Sequence, residues 1–363
     1  MSDLFDAVLS RRSLVKVSVA AGALASMPFS LTSVGAQDKV VATMVTDTAG
    51  IGDQNFNDLA IKGGNEAAAE YGIEWKVIES VDQASYEPNL TQAAEQSQLT
   101  VAVGFKLTDA LTTVAALYPD KFFLIVDSVV DAGNVRSVLF KEDQIGYLCG
   151  VVSGLSTKTN KLGIVGGERI PPVIRYEVGF VAGVKSVNET AEVIINYAGT
   201  FNDQAKGKDI AAALYNDGCD IVFPIAGLTG IGAYAAVSEL NKPGELWVVG
   251  VDTAQDHLAP GYELCVGRKG VDFAVKTACA DVANGKFTPG LTTYDLKSGG
   301  IGLSLYEDRT AASTNDLARG YEKAIIDGTI VPPTTDDELK AFVVPPQPEP
   351  IAATPEASPS PSA

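Results

Sequence analysis

The feature that most constrains the fold of this chain is the alternation of short apolar runs with longer stretches of helical composition. Such alternation is typical of βαβ units, in which buried parallel strands are joined by helices. The predicted strands cover residues 40–45, 74–78, 100–103, 122–126, 135–140, 161–165, 192–197, 221–223 and 246–250. The predicted helices cover 57–71, 87–98, 108–118, 143–156, 176–187, 204–216 and 232–240. The sequence therefore predicts an α/β protein with parallel sheets.

The alternation runs to residue 140 and then starts again, without a break in composition. With 363 residues, 46% of them hydrophobic, the chain can bury two ordinary cores. We therefore predict two doubly wound lobes joined by a hinge, preceded by a leader and followed by a tail. The predicted bounds are 1–36 for the leader, 37–140 with roughly 252–285 for the first lobe, 141–251 with roughly 286–342 for the second lobe, and 343–363 for a disordered tail rich in Pro, Ala and Ser.

The leader has the composition of an export signal. The run 10–16, which contains Arg11 and Arg12, resembles the twin-arginine signal, and the apolar stretch 17–27 that follows is shorter than the ~20 residues needed to span a bilayer. Small residues precede Gln37, before which we predict cleavage. A transmembrane anchor is the alternative. We expect an exported, soluble protein in the periplasm or on the extracellular face of the cell envelope, without a cysteine near the cleavage point to carry a lipid.

Net charge and cysteine spacing exclude several classes of partner. A formal charge of −18 repels phosphate backbones and anionic headgroups, so we predict no nucleic-acid binding and no peripheral membrane binding. The cysteines lack the close spacing of zinc ligands, and each lies in an apolar stretch. They are interpreted either as buried small hydrophobes or, because export leads to an oxidising compartment, as disulfide partners. These residues are Cys149, Cys219, Cys265 and Cys279.

The segment after the first predicted strand carries several groups suited to binding a heterocycle. Asp47 can accept hydrogen bonds, Phe56 offers an aromatic face, and Asn57 offers both a donor and an acceptor. Ligands of open α/β sheets bind beyond the carboxyl ends of the strands, where this segment lies. On pattern alone, Asp53 is interpreted equally well as a helix cap, and Phe56 as a core residue.

Ordered blocks of the sequence resemble the basic membrane protein family of substrate-binding proteins, which includes purine-nucleoside receptors of bacterial ABC transporters. Each block alone is weak, whereas their order is specific. The blocks are 45–47 with 52–57, 104–105, 122–127, 142–150, 179–183, 199–203 with 207–208, 226–227 with 229–230, 250–252, and Lys269 ahead of Asp272.

The resemblance implies a type I periplasmic-binding-protein fold with a purine nucleoside clamped between the lobes. It implies that Phe56 and Phe201 sandwich the base and that Asp47 and Asn57 bond the edge of the base. It implies that Asp127, Asp252 and Lys269 bind the ribose hydroxyls, and that Gly227 lets the backbone approach the ligand closely. It also implies an ABC permease and ATPase as partners, no cofactor and no metal. We expect a monomer that binds a small molecule and has no enzymatic activity.

The chain departs from the family pattern at 253–255, where a second acidic residue is common, and in the block 265–268. The lipid-attachment cysteine of the family is also missing. These departures bear on the ligand more than on the fold.

Other classes of function stay open at this stage. An enzyme is disfavoured because the single histidine, His257, lies in an apparent surface loop and because no nucleophile elbow, phosphate loop or metal spacing is present. A sensor for a sugar or another small ligand would share the fold and the cleft. Among the site residues, Phe201 could belong to the core, Gly227 to a tight turn, and Lys269 to the surface.

Overall fold

The computed structural model describes residues 39–353 and divides them between two six-stranded sheets. The strands, in chain order, are β1 (Val41–Val45), β2 (Glu74–Ile78), β3 (Leu99–Val103), β4 (Phe122–Val126), β5 (Val135–Phe140), β6 (Lys161–Gly166), β7 (Glu192–Tyr197), β8 (Ile221–Ile225), β9 (Trp247–Asp252), β10 (Glu263–Lys269), β11 (Gly290–Tyr294) and β12 (Ile301–Leu305). The helices are α1 (Phe56–Tyr71), α2 (Tyr86–Gln96), α3 (Thr108–Leu117), α4 (Glu142–Ser156), α5 (Pro171–Val187), α6 (Gln204–Asn216), α7 (Ile231–Leu240), α8 (Val271–Ala283), α9 (Ala312–Ile326) and α10 (Asp336–Ala341).

The first lobe is built on a parallel sheet with the order β11-β5-β4-β3-β1-β2. Alternate residues of its central strands face opposite layers of helices. Met44 and Leu124 pack with α1 and α8, whereas Val45 and Ile125 pack with α2 and α3. Because both faces are covered, these strands are apolar throughout, and this is the pattern by which the sequence revealed them.

The second lobe repeats this plan with the order β12-β10-β9-β8-β6-β7, in which only β12 is antiparallel to its neighbour. Its helices α4 and α5 pack with their backbones unusually close. A Cβ atom at Gly146 would lie 2.2 Å from the carbonyl oxygen of Tyr176, and one at Gly183 would lie 2.0 Å from that of Tyr147. The glycines of blocks 142–150 and 179–183 therefore serve helix packing.

The chain crosses between the lobes at Lys141, at Gly270 and between β11 and β12. This arrangement corrects the lobes predicted for residues 252–285 and 286–342. Strand β10 pairs with β9 in the second sheet, α8 packs on α1 of the first lobe, and β11 pairs with β5 in the first sheet. An apolar run predicts a strand but not the sheet edge at which the strand pairs, so residues 252–269 and 290–294 were assigned to the wrong lobe.

Most predicted bounds differ from the observed ones by a few residues, and two larger differences concern α5 and the tail. Helix α5 begins at Pro171 rather than at residue 176, because proline suits the first helical turn, where its missing N–H is not needed. Residues 343–353 form no helix or strand, yet the N–H of Ile351 donates to the carbonyl oxygen of Asp316 on α9. The first part of the predicted disordered tail thus contacts the second lobe.

The leader 1–36 and the tail beyond residue 353 lie outside the described residues, as do the predictions made for them. No helix in the described part of the chain combines the length and the apolar character that crossing a bilayer requires.

Candidate functional site: the cavity between the lobes

A cavity of about 560 Å³, including its open mouth, lies between the carboxyl ends of the strands of the two sheets. Of the residues predicted for the site, all but Asn57 line it. The lining includes Asp47, Phe56, Gly104, Phe105 and Asp127 from the first lobe, and Val173, Tyr176, Phe201, Gly227, Asp252 and Lys269 from the second. The structure therefore brings together groups that are far apart in the sequence.

Asn57 is fully buried and acts behind the cavity wall. Its Nδ2 donates to Asp47 Oδ1 at 2.9 Å and to Asp53 Oδ2 at 3.2 Å. The predicted contact of Asn57 with the base stays a prediction, because its Oδ1 is buried without a hydrogen-bond partner among residues 39–353. A buried amide must satisfy its donors, and here the two carboxylates accept from Nδ2, which orients Asp47.

Asp47 is held as a hydrogen-bond acceptor at the cavity wall. Its Oδ1 also accepts from the N–H of Ala49 at 3.0 Å. Burial raises the pKa of the Asp47 carboxyl, and the hydrogen bonds from Asn57 and Ala49 oppose this rise.

Asp53 anchors the start of α1. Its carboxylate accepts from the N–H groups of Asn55 at 3.1 Å, Asn57 at 2.8 Å and Asp58 at 3.1 Å. Burial raises the pKa of Asp53 to about 7, against the lowering effect of these hydrogen bonds. Asp53 therefore assists the N-cap residue Asn55, because its carboxylate accepts from the Asn55 N–H and from two donors of the first helical turn.

Aromatic rings line the cavity from both lobes, and the two predicted for stacking are Phe56 and Phe201. Phe56 is the first residue of α1, and Phe201 lies in the loop after β7. The Phe201 ring packs on the backbone at Gly167, where a Cβ atom would lie 2.2 Å from a ring carbon. The absence of a side chain at Gly167 therefore creates the space that the Phe201 ring occupies.

Asp127 and Asp252 end β4 and β9 in left-handed backbone conformations, with φ of 68° and 65°. This conformation costs of order 1 kcal/mol for a residue other than glycine, and at functional sites it aims a side chain. Asp127 Oδ2 accepts from Lys269 Nζ at 2.6 Å, while Asp127 Oδ1 is buried without a hydrogen-bond partner among residues 39–353. Asp252 Oδ1 accepts from Tyr176 Oη at 2.8 Å.

Lys269 is a buried cation rather than a surface one. Its Nζ lies 2.6 Å from Asp127 Oδ2 and 2.9 Å from Glu142 Oε1, and the side chain is 2% exposed. Burial lowers the pKa of Lys269, but the charges of Asp127, Glu142 and Asp252 outweigh burial and raise the pKa above its usual range. The ammonium also lies 5.1 Å from the centre of the Phe56 ring.

Three groups near Lys269 were missed in the sequence analysis: Glu142, Arg175 and Tyr176. Glu142 is fully buried beside Lys269 and accepts from Arg175 Nε at 2.6 Å. Burial raises the pKa of Glu142, but Lys269 and Arg175 outweigh that effect and lower it. The sequence did offer one clue, since Glu142 is the first residue of the block 142–150. The glycines of that block indicate helix packing, and the role of Glu142 was not predicted.

Several contacts bridge the two lobes beside the cavity. Lys106 pairs with Glu168, Gln54 Oε1 lies 3.3 Å from His257 Nε2, and a Cβ atom at Gly227 would lie 3.4 Å from Ala49 Cβ. Gly227 has φ of 54°, so its backbone conformation favours glycine, whereas a Cβ atom there would meet Ala49 at an ordinary contact distance. The two lobes therefore touch each other beside the cavity.

No group of His, Cys, Asp or Glu side chains suited to a metal ion occurs in the described part of the chain. All four cysteines are buried with free thiols, which agrees with the interpretation of small hydrophobes.

Two parallel-sheet lobes, a hinge of three crossings and a polar cavity with facing aromatic rings define a substrate-binding protein of the type I periplasmic-binding fold. Residues 40–335 match the family model Bmp, described as "ABC transporter substrate-binding protein PnrA-like". The chain belongs to this family.

Named relatives agree with this assignment. The chain is 36% identical over 346 residues to "ABC transporter nucleoside-binding protein BmpA" of Lactococcus lactis subsp. cremoris, covering 90% of this chain and 98% of that protein. It is 30% identical over 282 residues to "Basic membrane protein D" of Borreliella burgdorferi, covering 76% of this chain and 81% of that protein.

Among solved structures, a solute-binding protein of an ABC transporter system from Aeropyrum pernix has a TM-score of 0.77 and 29% identity, covering 83% of this chain and 98% of that one. The predicted family, the fold class and the absence of an enzymatic role are confirmed by these comparisons, since the relatives are substrate-binding proteins of ABC transporters.

Proposed function

We propose that this protein is the exported receptor of an ABC uptake system and that it binds a purine nucleoside in the cavity between its lobes. The observation that carries this proposal is the composition of one cavity: an aromatic ring from each lobe, together with Asp127, Asp252 and Lys269. The nucleoside-binding name of the Lactococcus lactis relative supports the same ligand class, and the lipoprotein names of several archaeal relatives support export.

In this proposal, Phe56 and Phe201 stack on the two faces of the base, and Asp47 accepts from its edge. Stacking on an aromatic side chain contributes about 1–3 kcal/mol per base, and a hydrogen bond to a charged group about 1.5–3 kcal/mol. Such terms reach micromolar affinity or better after the costs of association. Asn57 takes part indirectly, by holding Asp47 through its Nδ2.

The ribose hydroxyls fall to Asp127, Asp252 and Lys269. The partnerless Oδ1 of Asp127 is suited to accept from a hydroxyl, because a buried acceptor left unmet costs about 1–3 kcal/mol. Gly227 allows the backbone to approach the ligand.

The charges of the cavity disfavour a nucleotide. Lys269 is already paired with two carboxylates, and Asp47, Asp127 and Asp252 would repel a phosphate. A free base would leave the ribose-binding carboxylates unmet. A free sugar would leave the two phenylalanine rings without a stacked heterocycle.

Calorimetry on the purified protein tests the ligand class. We expect adenosine, guanosine or inosine to bind more tightly than the matching base, the matching 5′-monophosphate or ribose. Phe56→Ala should weaken every purine nucleoside by about 1–3 kcal/mol, whereas Phe273→Ala, a control on a ring that is 54% exposed, should not. Tighter binding of ribose than of every nucleoside would overturn the nucleoside assignment. Mass spectrometry of the small molecule released on denaturation gives an independent answer.

The export step is tested by maturation. We expect the secreted protein to begin at or near Gln37, as measured by intact mass, and Arg11→Lys with Arg12→Lys to block its appearance outside the cytoplasm. The conservative change Lys16→Arg serves as the control. A stably membrane-embedded protein that keeps residues 1–36 would contradict this maturation.

A further inference from the structure

Glu142 stands at the first crossing between the lobes and does not line the cavity. It is the first residue of α4, directly after Lys141, and its side chain is fully buried. One carboxylate oxygen lies 2.9 Å from Lys269 Nζ, and the other accepts from Arg175 Nε at 2.6 Å. A carboxylate buried to this extent is tolerated only when cations offset its loss of hydration.

Lys269 stands at the second crossing. It is the last residue of β10, and Gly270 leads from it into α8 of the first lobe. The Glu142–Lys269 pair therefore links two of the chain segments that join the lobes. At the same time, the ammonium reaches across to Asp127 at the end of β4.

The balance of charge at Lys269 decides how Asp127 can act. Only Oδ2 of Asp127 receives a hydrogen bond from the ammonium, while Oδ1 is left without a partner. On its other side the ammonium forms an ion pair, without a hydrogen bond, with Glu142 Oε1 at 2.9 Å, so its charge is shared between two carboxylates. Arg175 in turn fixes Glu142 from the side away from Lys269.

We propose that Glu142 is a positioning residue for ligand recognition: it holds the Lys269 ammonium at the hinge so that Asp127 keeps an acceptor for a ligand hydroxyl. For the identity of the ligand, this inference rests on the proposed nucleoside function. Neutralising Glu142 should draw the ammonium fully onto Asp127, and the protein should lose discrimination for the hydroxyls rather than affinity for the base.

The test compares inosine with 2′,3′-dideoxyinosine by calorimetry. In wild type, we expect inosine to bind more tightly; in Glu142→Gln, the ratio of the two affinities should fall by about tenfold, the scale of one hydrogen bond to a charged group. The matched control is Glu263→Gln, because Glu263 is also fully buried and lies at the opposite end of β10, where it accepts from Tyr234 and Tyr306. In Glu263→Gln, the ratio of the two affinities should stay within about twofold of wild type. This substitution can change the stability of the protein, but it does not alter the Glu142–Lys269 pair.

A second readout needs no ligand. Buried, hydrogen-bonded ammonium protons exchange slowly, so Lys269 should give a 15N side-chain NMR signal that is assigned by its loss in Lys269→Met. We expect this signal to shift and broaden in Glu142→Gln and to persist in Glu263→Gln. If Glu142→Gln does not fold, Glu142→Asp provides the test, because it withdraws the carboxylate by one methylene. The affinity ratio and the Lys269 NMR signal should then change in the same direction but to a smaller extent.

The outcomes separate the two proposals. If wild type binds no nucleoside while the ammonium signal depends on Glu142, the ligand assignment fails and the positioning role stands. If inosine binds and both the affinity ratio and the signal are unchanged in the Glu142 variants, the positioning role is wrong.

Discussion

Two clusters of buried carboxylates face the same cavity, and they are stabilised by different means. In the Asp47 cluster (Asp47, Asp53 and Asn57), the acceptors are met by backbone N–H groups and one amide. In the Asp127 cluster (Asp127, Asp252, Glu142, Lys269 and Arg175), they are met mainly by two cations. Dipoles within one loop and helix turn belong to a single lobe, whereas the charges of the Asp127 cluster come from elements of both lobes.

The difference has a functional meaning in the proposed receptor. The Asp47 cluster lies within the first lobe, so its geometry should be the same in the open and closed forms. The Asp127 cluster joins β4 of the first lobe to β10 and α4 of the second, so it is complete only when the lobes are correctly placed. Hinge closure around a ligand is the known behaviour of periplasmic binding proteins. We therefore infer that closure is sensed at the Asp127 cluster.

The largest expected effect comes from removing the cation of the Asp127 cluster. Lys269→Met leaves Asp127 and Glu142 buried without their shared partner, which should destabilise the protein by about 3–5 kcal/mol and lower nucleoside affinity by about two orders of magnitude. Denaturant unfolding and calorimetry measure the two effects. The control is Lys276→Met, which removes a solvent-exposed pair with Glu70 and should cost less than about 1 kcal/mol. Equal effects of the two variants would contradict the assigned role of Lys269.

A pair of isosteric substitutions separates the two clusters by ligand. Asp47→Asn should weaken inosine and 2′,3′-dideoxyinosine by a similar factor of about tenfold or more, because the contact is to the base. Asp127→Asn should weaken inosine by that amount and the dideoxy analogue by much less. Calorimetry with both ligands measures these effects. If the ratio of the two affinities changed equally in both variants, the two clusters would not have separate roles in recognising the base and the hydroxyls.

Within the Asp47 cluster, Asp53 should contribute to the pH dependence of stability, alongside Asp127 and Asp143, whose pKa values burial also raises to about 7. Burial raises the pKa of Asp53 from its usual 3.8 to about 7, so the folded protein holds a proton that the unfolded chain has released. The stability contributed by this proton is fully present below about pH 3.8 and is lost as the pH rises through about 7.

The unfolding free energy of the ligand-free protein should therefore fall as the pH rises from about 4.5 to about 8. Asp53→Asn should make this fall less steep. Asp256 is the opposite control. Burial raises the pKa of Asp256, but the hydrogen bonds from Arg309 and from backbone N–H groups, together with the charge of Arg309, outweigh burial and lower it, so Asp256→Asn should not flatten the decline. An unchanged slope in Asp53→Asn would assign the titration to another group.

The smallest expected effect concerns Lys106, a cation near the Asp47 cluster. Lys106 pairs with Glu168 of the second lobe beside the cavity, and both side chains are partly exposed. Lys106→Gln should therefore cost less than about 1 kcal/mol and speed ligand release by no more than about fivefold, with a smaller salt dependence than in wild type. Stopped-flow release measures this effect. Lys208→Gln, which removes a pair with Glu239 outside the cavity, is the control and should leave the release rate unchanged.

Much of the fold was determined by local sequence. The strands predicted at 74–78, 122–126, 135–140 and 192–197 have those bounds in the structure. Apolar runs, glycines and prolines act on the residues beside them, so the pattern alone fixed where these elements begin and end. The Asp47 cluster could be found for the same reason, since its members lie within one loop and the first turn of α1.

Only the tertiary structure decided which sheet receives β10 and which charges surround Lys269. Strand β10 has the same apolar composition whether it pairs in the first or the second sheet, and its pairing with β9 is set by the packing of the whole lobe. Glu142, Arg175 and Tyr176 contact the site from α4 and α5, far in the chain from Asp127 and Lys269. A sequence pattern records the residues along one element, whereas the balance of buried charge depends on elements that meet only after folding.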